Sequence, residues 1–235
     1  MGFIVDYLNG IIEELPYLLE TTKPIVFFEK GDFRISSFVT TTWIAMFLII
    51  AFVLIITSKL EIKPTTRRQA IAEKIVFSFY SFIKEILGDT GRKVYGMLGS
   101  FFLIILVFNF MWVIPTFTVP TSSYSTTLAL ALLAYLYSQM IIIKKVNLKN
   151  YIISYGQPNP LMIIGNVLSI IARPLSLSMR LFGNMFAGKI LDSLIMMTLP
   201  LLVPIAFSLL SILAGVIQAY VFTLLVTMFI NEGLE

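Results

Sequence analysis

Residues Leu161 to Thr198 read LMIIGNVLSIIARPLSLSMRLFGNMFAGKILDSLIMMT. The run is apolar almost throughout, yet it holds Arg173, Arg180, Lys189 and Asp192. Pro200-Leu-Leu-Val-Pro204 separates it from a second apolar run that reaches nearly to the end of the chain. At a rise of 1.5 Å per residue, a helix of this first run would reach about 57 Å, against a hydrocarbon core of ~30 Å. Such a helix must tilt strongly or bend, and Pro174 is one place for a bend. Two long membrane helices are therefore expected over residues 161–231.

Charge inside a membrane costs about 2.5–3.5 kcal/mol per Arg, Lys or Asp on the insertion scale, so each charge needs an account. Arg173 stands near one end of the helix and can snorkel. Lys189 and Asp192 are three apart and can pair on one face. Arg180 has no acid three or four residues away on either side, which makes it the candidate functional charge. At about 100° per residue, Asn166, Ser169, Arg173, Ser176, Arg180, Asn184 and Ala187 share one side of the helix. A helix–helix seam of small residues is the plain reading of that stripe, but a seam does not need an arginine. The final run presents Ser208, Ser211, Gly215 and Gln218 on one face, with Gln218 its strongly polar side chain. The pair of helices, with a guanidinium between them and polar groups towards both ends, fits an ion path better than an enzyme site.

Composition supports the same class. Of 235 residues, 58% are apolar or aromatic, 13% are charged, and mean hydropathy is +0.92. A soluble domain carries about 25% charged residues, so a soluble enzyme is excluded. The absence of Cys and His excludes disulfides, thiolate catalysis and the commonest metal ligand. No nucleic-acid-binding patch, cofactor site or metal site is expected.

Working back towards the start, residues 1–37 form an acidic segment without the pattern of a signal peptide, and Tyr7 to Leu15 fits a short interfacial helix. Residues 38–58 hold no charge and suit a transmembrane helix, with Trp43 near its entry. Residues 59–93 carry Ile71, Ile75, Phe79, Phe82 and Ile86 at three- to four-residue intervals, with Glu73, Lys74, Lys84 and Glu85 off that stripe. This is an amphipathic helix lying on the membrane face; a soluble helix on a small domain is the alternative. Residues 95–143 form a transmembrane hairpin around an uncharged Pro/Ser/Thr loop. Lys/Arg in the flanks after residue 58 and after residue 143 places both on the cytoplasmic side, with the N-terminus outside and the C-terminus inside. The fold class expected is an all-α membrane protein.

At Pro174-Leu-Ser-Leu-Ser-Met-Arg180-Leu-Phe-Gly-Asn184-Met-Phe-Ala-Gly188 the sequence resembles subunit a of F-type ATP synthases in its bacterial form. Asn109 to Pro115, Pro120 to Leu132 and Gln218-Ala-Tyr-Val-Phe resemble further family signatures, while the first 30 residues match little. The resemblance implies a stator subunit in the membrane sector of a rotary ATP synthase in the bacterial plasma membrane. Its implied partners are a c-ring of small hairpin subunits, the peripheral-stalk b subunits, the rest of the synthase and membrane lipid. It implies that Arg180 is the essential arginine, Asn184 the Asn of the same motif, and Gln218 the final-helix glutamine facing that arginine. Ser176, Arg173 and Asn166 extend the path. Where many relatives have a carboxylate and a His, this chain has Lys189 and Ser211, and Asp192 is a candidate for the missing acid.

The mechanism implied has ions enter by an outer half-channel, load a ring carboxylate, travel with the ring and leave by a second half-channel. Arg180 stands between the two, and an arginine cannot give up its charge there. The translocated ion is H+ or Na+, with the proton as the family default. An independent ion transporter would show inverted repeats, which the sequence lacks, and a membrane scaffold would not need Arg180.

Overall fold

The computed structural model describes residues 26–30, 33–58, 67–113, 117–146, 162–198 and 203–234. The interfacial helix expected over Tyr7 to Leu15 and the Pro200-to-Val203 junction lie wholly or partly outside those residues. The first described element is a short antiparallel hairpin, β1 (Val26–Lys30) with β2 (Phe33–Ser36), in which Glu29 pairs with Arg34 and Lys30 with Phe33. The helix reading passed over it. Its signal is a Val-Phe-Phe run followed by Gly31-Asp32, a two-residue hairpin connection.

Among the described residues after Ser36, all are helical or lie in short turns beside the helices. The helices are α1 (Ser37–Thr57), α2 (Arg67–Leu87), α3 (Gly91–Phe110), α4 (Tyr124–Val146), α5 (Met162–Thr198) and α6 (Val203–Glu232). The protein is an all-α membrane protein with that small hairpin ahead of its first span. Among the described residues, the helical stretches Ser37–Thr57, Gln69–Phe110, Tyr124–Val146 and Ser208–Glu232 are long and apolar enough to cross a membrane.

Helix α1 is apolar all round, the pattern of a membrane span. It touches the rest of the chain along Ser37, Thr41 and Ala45, spaced four apart, and turns the remainder outward, with Phe47 72% exposed. Its threonine hydroxyls are satisfied within the helix, Thr41 and Thr42 donating to the carbonyls of Ser37 and Phe38. That is how a polar side chain is tolerated in hydrocarbon.

Helix α2 divides in two. Its C-terminal half docks on α3 and α6: Ile83 is fully buried, and Phe79 and Phe82 stack on Phe102 and Tyr220 at 5.6 and 5.5 Å. In its N-terminal half Gln69 is buried, but the apolar stripe is not, with Ile71 and Ile75 exposed. One apolar stripe thus faces two surroundings. The helix ends at Gly88, whose φ of +54° is a left-handed conformation that glycine adopts without a steric penalty. A single 3-10 turn, Gly88–Thr90, then leads into α3. Lys145 near the end of α4 donates to Thr90 Oγ1 and ties this corner to the fourth helix.

The two arms of the hairpin expected over 95–143 are α3 and α4, and they splay. Helix α3 packs chiefly on α6, α4 packs on α5, and α6 touches both. The core lies where these four meet: Leu98, Phe101 and Ile105 from α3, Ala131 and Ala134 from α4, Leu177 and Leu181 from α5, and Phe222, Val226 and Ile230 from α6. Helix α5 runs unbroken through Pro174, which is buried.

Candidate functional site

The faces of α5 decide what its polar stripe can meet. Pro174, Leu177, Ser178, Leu181 and Met185 are buried and point into the bundle. Ser178 Oγ lies 3.4 Å from Thr127 Oγ1 of α4. Ser176, Arg180, Asn184 and Ala187 are exposed. At 100° per residue the two groups occupy different sides of one helix, so the stripe faces away from α4. Arg180 is not enclosed between α5 and α6; it stands on the outer surface of the chain. Among the described residues it has no hydrogen-bond or ion-pair partner. Leu175, Met179 and Leu191 of the same helix are exposed as well.

Arg173 behaves differently. Its guanidinium lies 2.7 Å from Glu232 Oε1 and 5.1 Å from the centre of the Phe229 ring, both on α6. Snorkelling is therefore replaced by an ion pair between the two long helices. Ser169 and Asn166, one and two turns earlier, are half-buried, and Ser169 Oγ donates to the carbonyl of Gly165. Lys189 is half-buried and engaged. The side chain of Asp192 lies outside those described.

Towards the other end of α5, Asn184 and Ser211 come together. They line a recess of about 250 Å³ with Trp112, Gly188, Leu210, Ala214 and three further α5 residues. Trp112, in the turn Met111–Val113 after α3, was not among the expected site residues. Its signal was an aromatic at the end of a span. The described lining holds an amide, a hydroxyl and an indole as polar groups, and neither a carboxylate nor an ammonium.

Gln218 lies deeper. It is 6% exposed, and its amide Nε2 is buried with no hydrogen-bond partner among the described residues. Buried polar groups are nearly always bonded, which makes this amide an exception, as is the Ser37 hydroxyl. Three residues earlier, the Gly215 carbonyl accepts a hydrogen bond from Asn109 Nδ2 at 3.0 Å, and Thr121 Oγ1 donates to Asn109 Oδ1 at 3.0 Å. Sequence reasoning placed Asn109 in a family signature and gave it no role.

Chemically, the described residues offer an outward guanidinium and a buried amide on the next helix, each without a partner among them, and a polar recess lined by Asn184 and Ser211. A cation left in lipid is costly, and an acid on a neighbouring protein would offset that cost.

Comparison with known proteins identifies the family. A family profile described as ATP synthase A chain matches residues 39–231. The chain is similar to ATP synthase subunit a of Moorella thermoacetica, 36% identical over 208 residues that cover 88% of this chain and 95% of that relative. It is similar to ATP synthase subunit a 2 of a Picosynechococcus species, 33% identical over 91% of this chain and 92% of the relative. A third relative, ATP synthase subunit a 2 of a Bradyrhizobium species, is 35% identical over 88% of this chain and 92% of its own length. A family match over most of the chain, full-length relatives above 30% identity and membrane-spanning helices together establish that this multi-pass membrane protein belongs to the ATP synthase A chain family.

Proposed function

We propose that the chain is the stator subunit of the membrane sector of a rotary ATP synthase, set against a c-ring and held by peripheral-stalk b subunits. Its outward α5 face meets the ring, and Arg180 meets the ring carboxylate. The observation that carries this reading is the exposure of Arg180, with no described partner, on a helix whose other arginine is paired. A fixed positive charge keeps a passing carboxylate ionised, so the ion must leave before that ring subunit goes by. The same charge bars a direct leak between an outer and an inner half-channel. Moving one elementary charge through 100 mV releases about 2.3 kcal/mol, so several ions must be collected for each ATP and a leak would dissipate them.

In this reading the recess lined by Asn184, Ser211 and Trp112 belongs to the outer half-channel, and Gln218 faces the ring-side passage. Ser176, Arg173 and Asn166 lie towards the cytoplasmic exit, and Lys189 and Asp192 flank the outer route. The N-terminus is outside and the C-terminus cytoplasmic, and the chain needs no bound cofactor. The coupling ion is the proton. Sodium is the second reading, favoured by the polar groups described in the recess, which do not titrate near neutral pH. Replacement of Arg180 by Ala in the assembled complex tests the assignment: coupled ATP synthesis should be lost while the complex still assembles. Retained synthesis would sink it.

A further inference from the structure

In a membrane, apolar helices gain little from one register over another, because lipid tails are as apolar as the partner helix. Helix α6 is apolar along most of its length, with Leu209, Leu210, Leu213, Ile217, Tyr220 and Met228 all exposed. Something else must set its height and rotation.

Beside the partly exposed Arg173–Glu232 pair near its C-terminal end, the described residues hold a buried contact of the required kind in mid-α6. Asn109, 3% exposed at the end of α3, donates from Nδ2 to the carbonyl of Gly215 in mid-α6, across 106 residues of sequence. Its Oδ1 is held by Thr121, which is fully buried in the outer loop. A carboxamide fixed at both ends cannot swivel. Steric contact agrees with the hydrogen bonds: a Cβ added at Gly215 would stand 2.9 Å from Asn109 Cβ. The glycine is what lets α6 approach so closely.

The residues either side of Gly215 depend on that contact. Ser211 stands one turn before it, in the recess with Trp112, which lies one turn beyond Asn109. Gln218 follows one turn after, its Nε2 buried and unbonded. Rotation of α6 towards water would relieve that amide, so the helix must be held against it.

We propose that Asn109 is a positioning residue for the outer ion route: braced by Thr121, it pins the Gly215 carbonyl and so fixes where Ser211 and Gln218 stand. The route itself rests on the function proposed above; the clamp does not.

The chain has no Cys, so Ser211→Cys provides a single reporter within this subunit, read on the subunit separated after labelling the assembled synthase. Its alkylation rate by a small aqueous maleimide is measured alone and combined with Asn109→Ala, Thr121→Val, Thr121→Ser or Gly215→Ala. Passive ion flux through the membrane sector is measured for the same second-site variants with Ser211 intact. Asn109→Ala and Thr121→Val should each change the labelling rate about threefold or more, the scale of one interhelical hydrogen bond lost in a membrane. They should change ion flux as well, and Thr121→Ser should restore both. Gly215→Ala should act like Asn109→Ala, and the two together should not add. Unchanged labelling in both Asn109→Ala and Thr121→Val would overturn the clamp, as would failure of both to assemble, which marks packing alone. Shifted labelling with unchanged flux would overturn its part in the route. Labelling does not depend on transport: if Arg180→Ala left coupling intact while labelling still shifted, the stator reading would fall and the clamp would stand.

Discussion

The guanidinium of Arg173 stands 2.7 Å from the carboxylate of Glu232, so the two long helices are joined by an ion pair two turns from Arg180. One stripe on α5 therefore carries two arginines in opposite situations, one neutralised by α6 and stacked over Phe229, the other outward and unpartnered among the described residues. The pair is partly exposed, and exposed pairs contribute about 0–1 kcal/mol. Glu232→Gln should lower the thermal stability of the purified complex slightly and leave coupled ATP synthesis close to normal. Loss of coupling in Glu232→Gln, measured in vesicles, would mean that the pair belongs to the ion path itself.

The two halves of α2 should respond differently to truncation. Ile83 is fully buried while Ile75 is 63% exposed. Replacing a buried Ile by Ala typically costs about 2–5 kcal/mol, so Ile83→Ala should reduce assembly or the melting temperature of the complex. Ile75→Ala should do neither unless another subunit or lipid covers that half. Equal effects of the two changes, read from thermal melts of the detergent-purified complex, would contradict the packing described.

This contrast marks how far the sequence could be read. The run after Phe38, the charges of α5 and the motif around Arg180 were legible because hydropathy and local spacing encode them directly. Which apolar residues are covered by protein was not, since lipid and protein core are equally apolar and a stripe such as Ile71 to Ile86 does not say where one gives way to the other. The partners of Arg173 and Asn109 are 59 and 106 residues away, beyond any local pattern. The splaying of α3 and α4 around α6 escaped notice for the same reason. The β1–β2 hairpin carries only a Gly-Asp pair between two runs of four or five residues, a far weaker signal than membrane hydropathy.

The orientation proposed follows from Lys and Arg in the flanks. Single cysteines at Lys63 and Ser125 of this Cys-free chain should react with an impermeant thiol reagent from opposite sides of the membrane. Ser125 is exposed, in the first turn of α4. Labelling of both positions in right-side-out vesicles only would refute the threading.

The coupling ion is open to a direct choice. With the proton as carrier, ATP hydrolysis by the reconstituted complex should acidify vesicles, and an uncoupler should abolish the gradient without any uptake of tracer sodium. Sodium uptake that persists or grows with the uncoupler present would replace the proton by sodium, in keeping with the non-titrating polar groups described in the recess.

The central claim is that the outward charge at Arg180 couples ion movement to the ring and blocks the leak. ATP-driven ion pumping and passive ion leak should be measured side by side in vesicles holding wild-type, Arg180→Ala and Arg180→Lys complexes of equal subunit content. Pumping is predicted to vanish in Arg180→Ala and to fall nearly as far in Arg180→Lys, because an ammonium lacks the guanidinium's fixed charge and planar fork. Passive leak should rise in Arg180→Ala. Near-normal pumping by Arg180→Lys, or pumping and leak both unchanged in Arg180→Ala, would contradict the account.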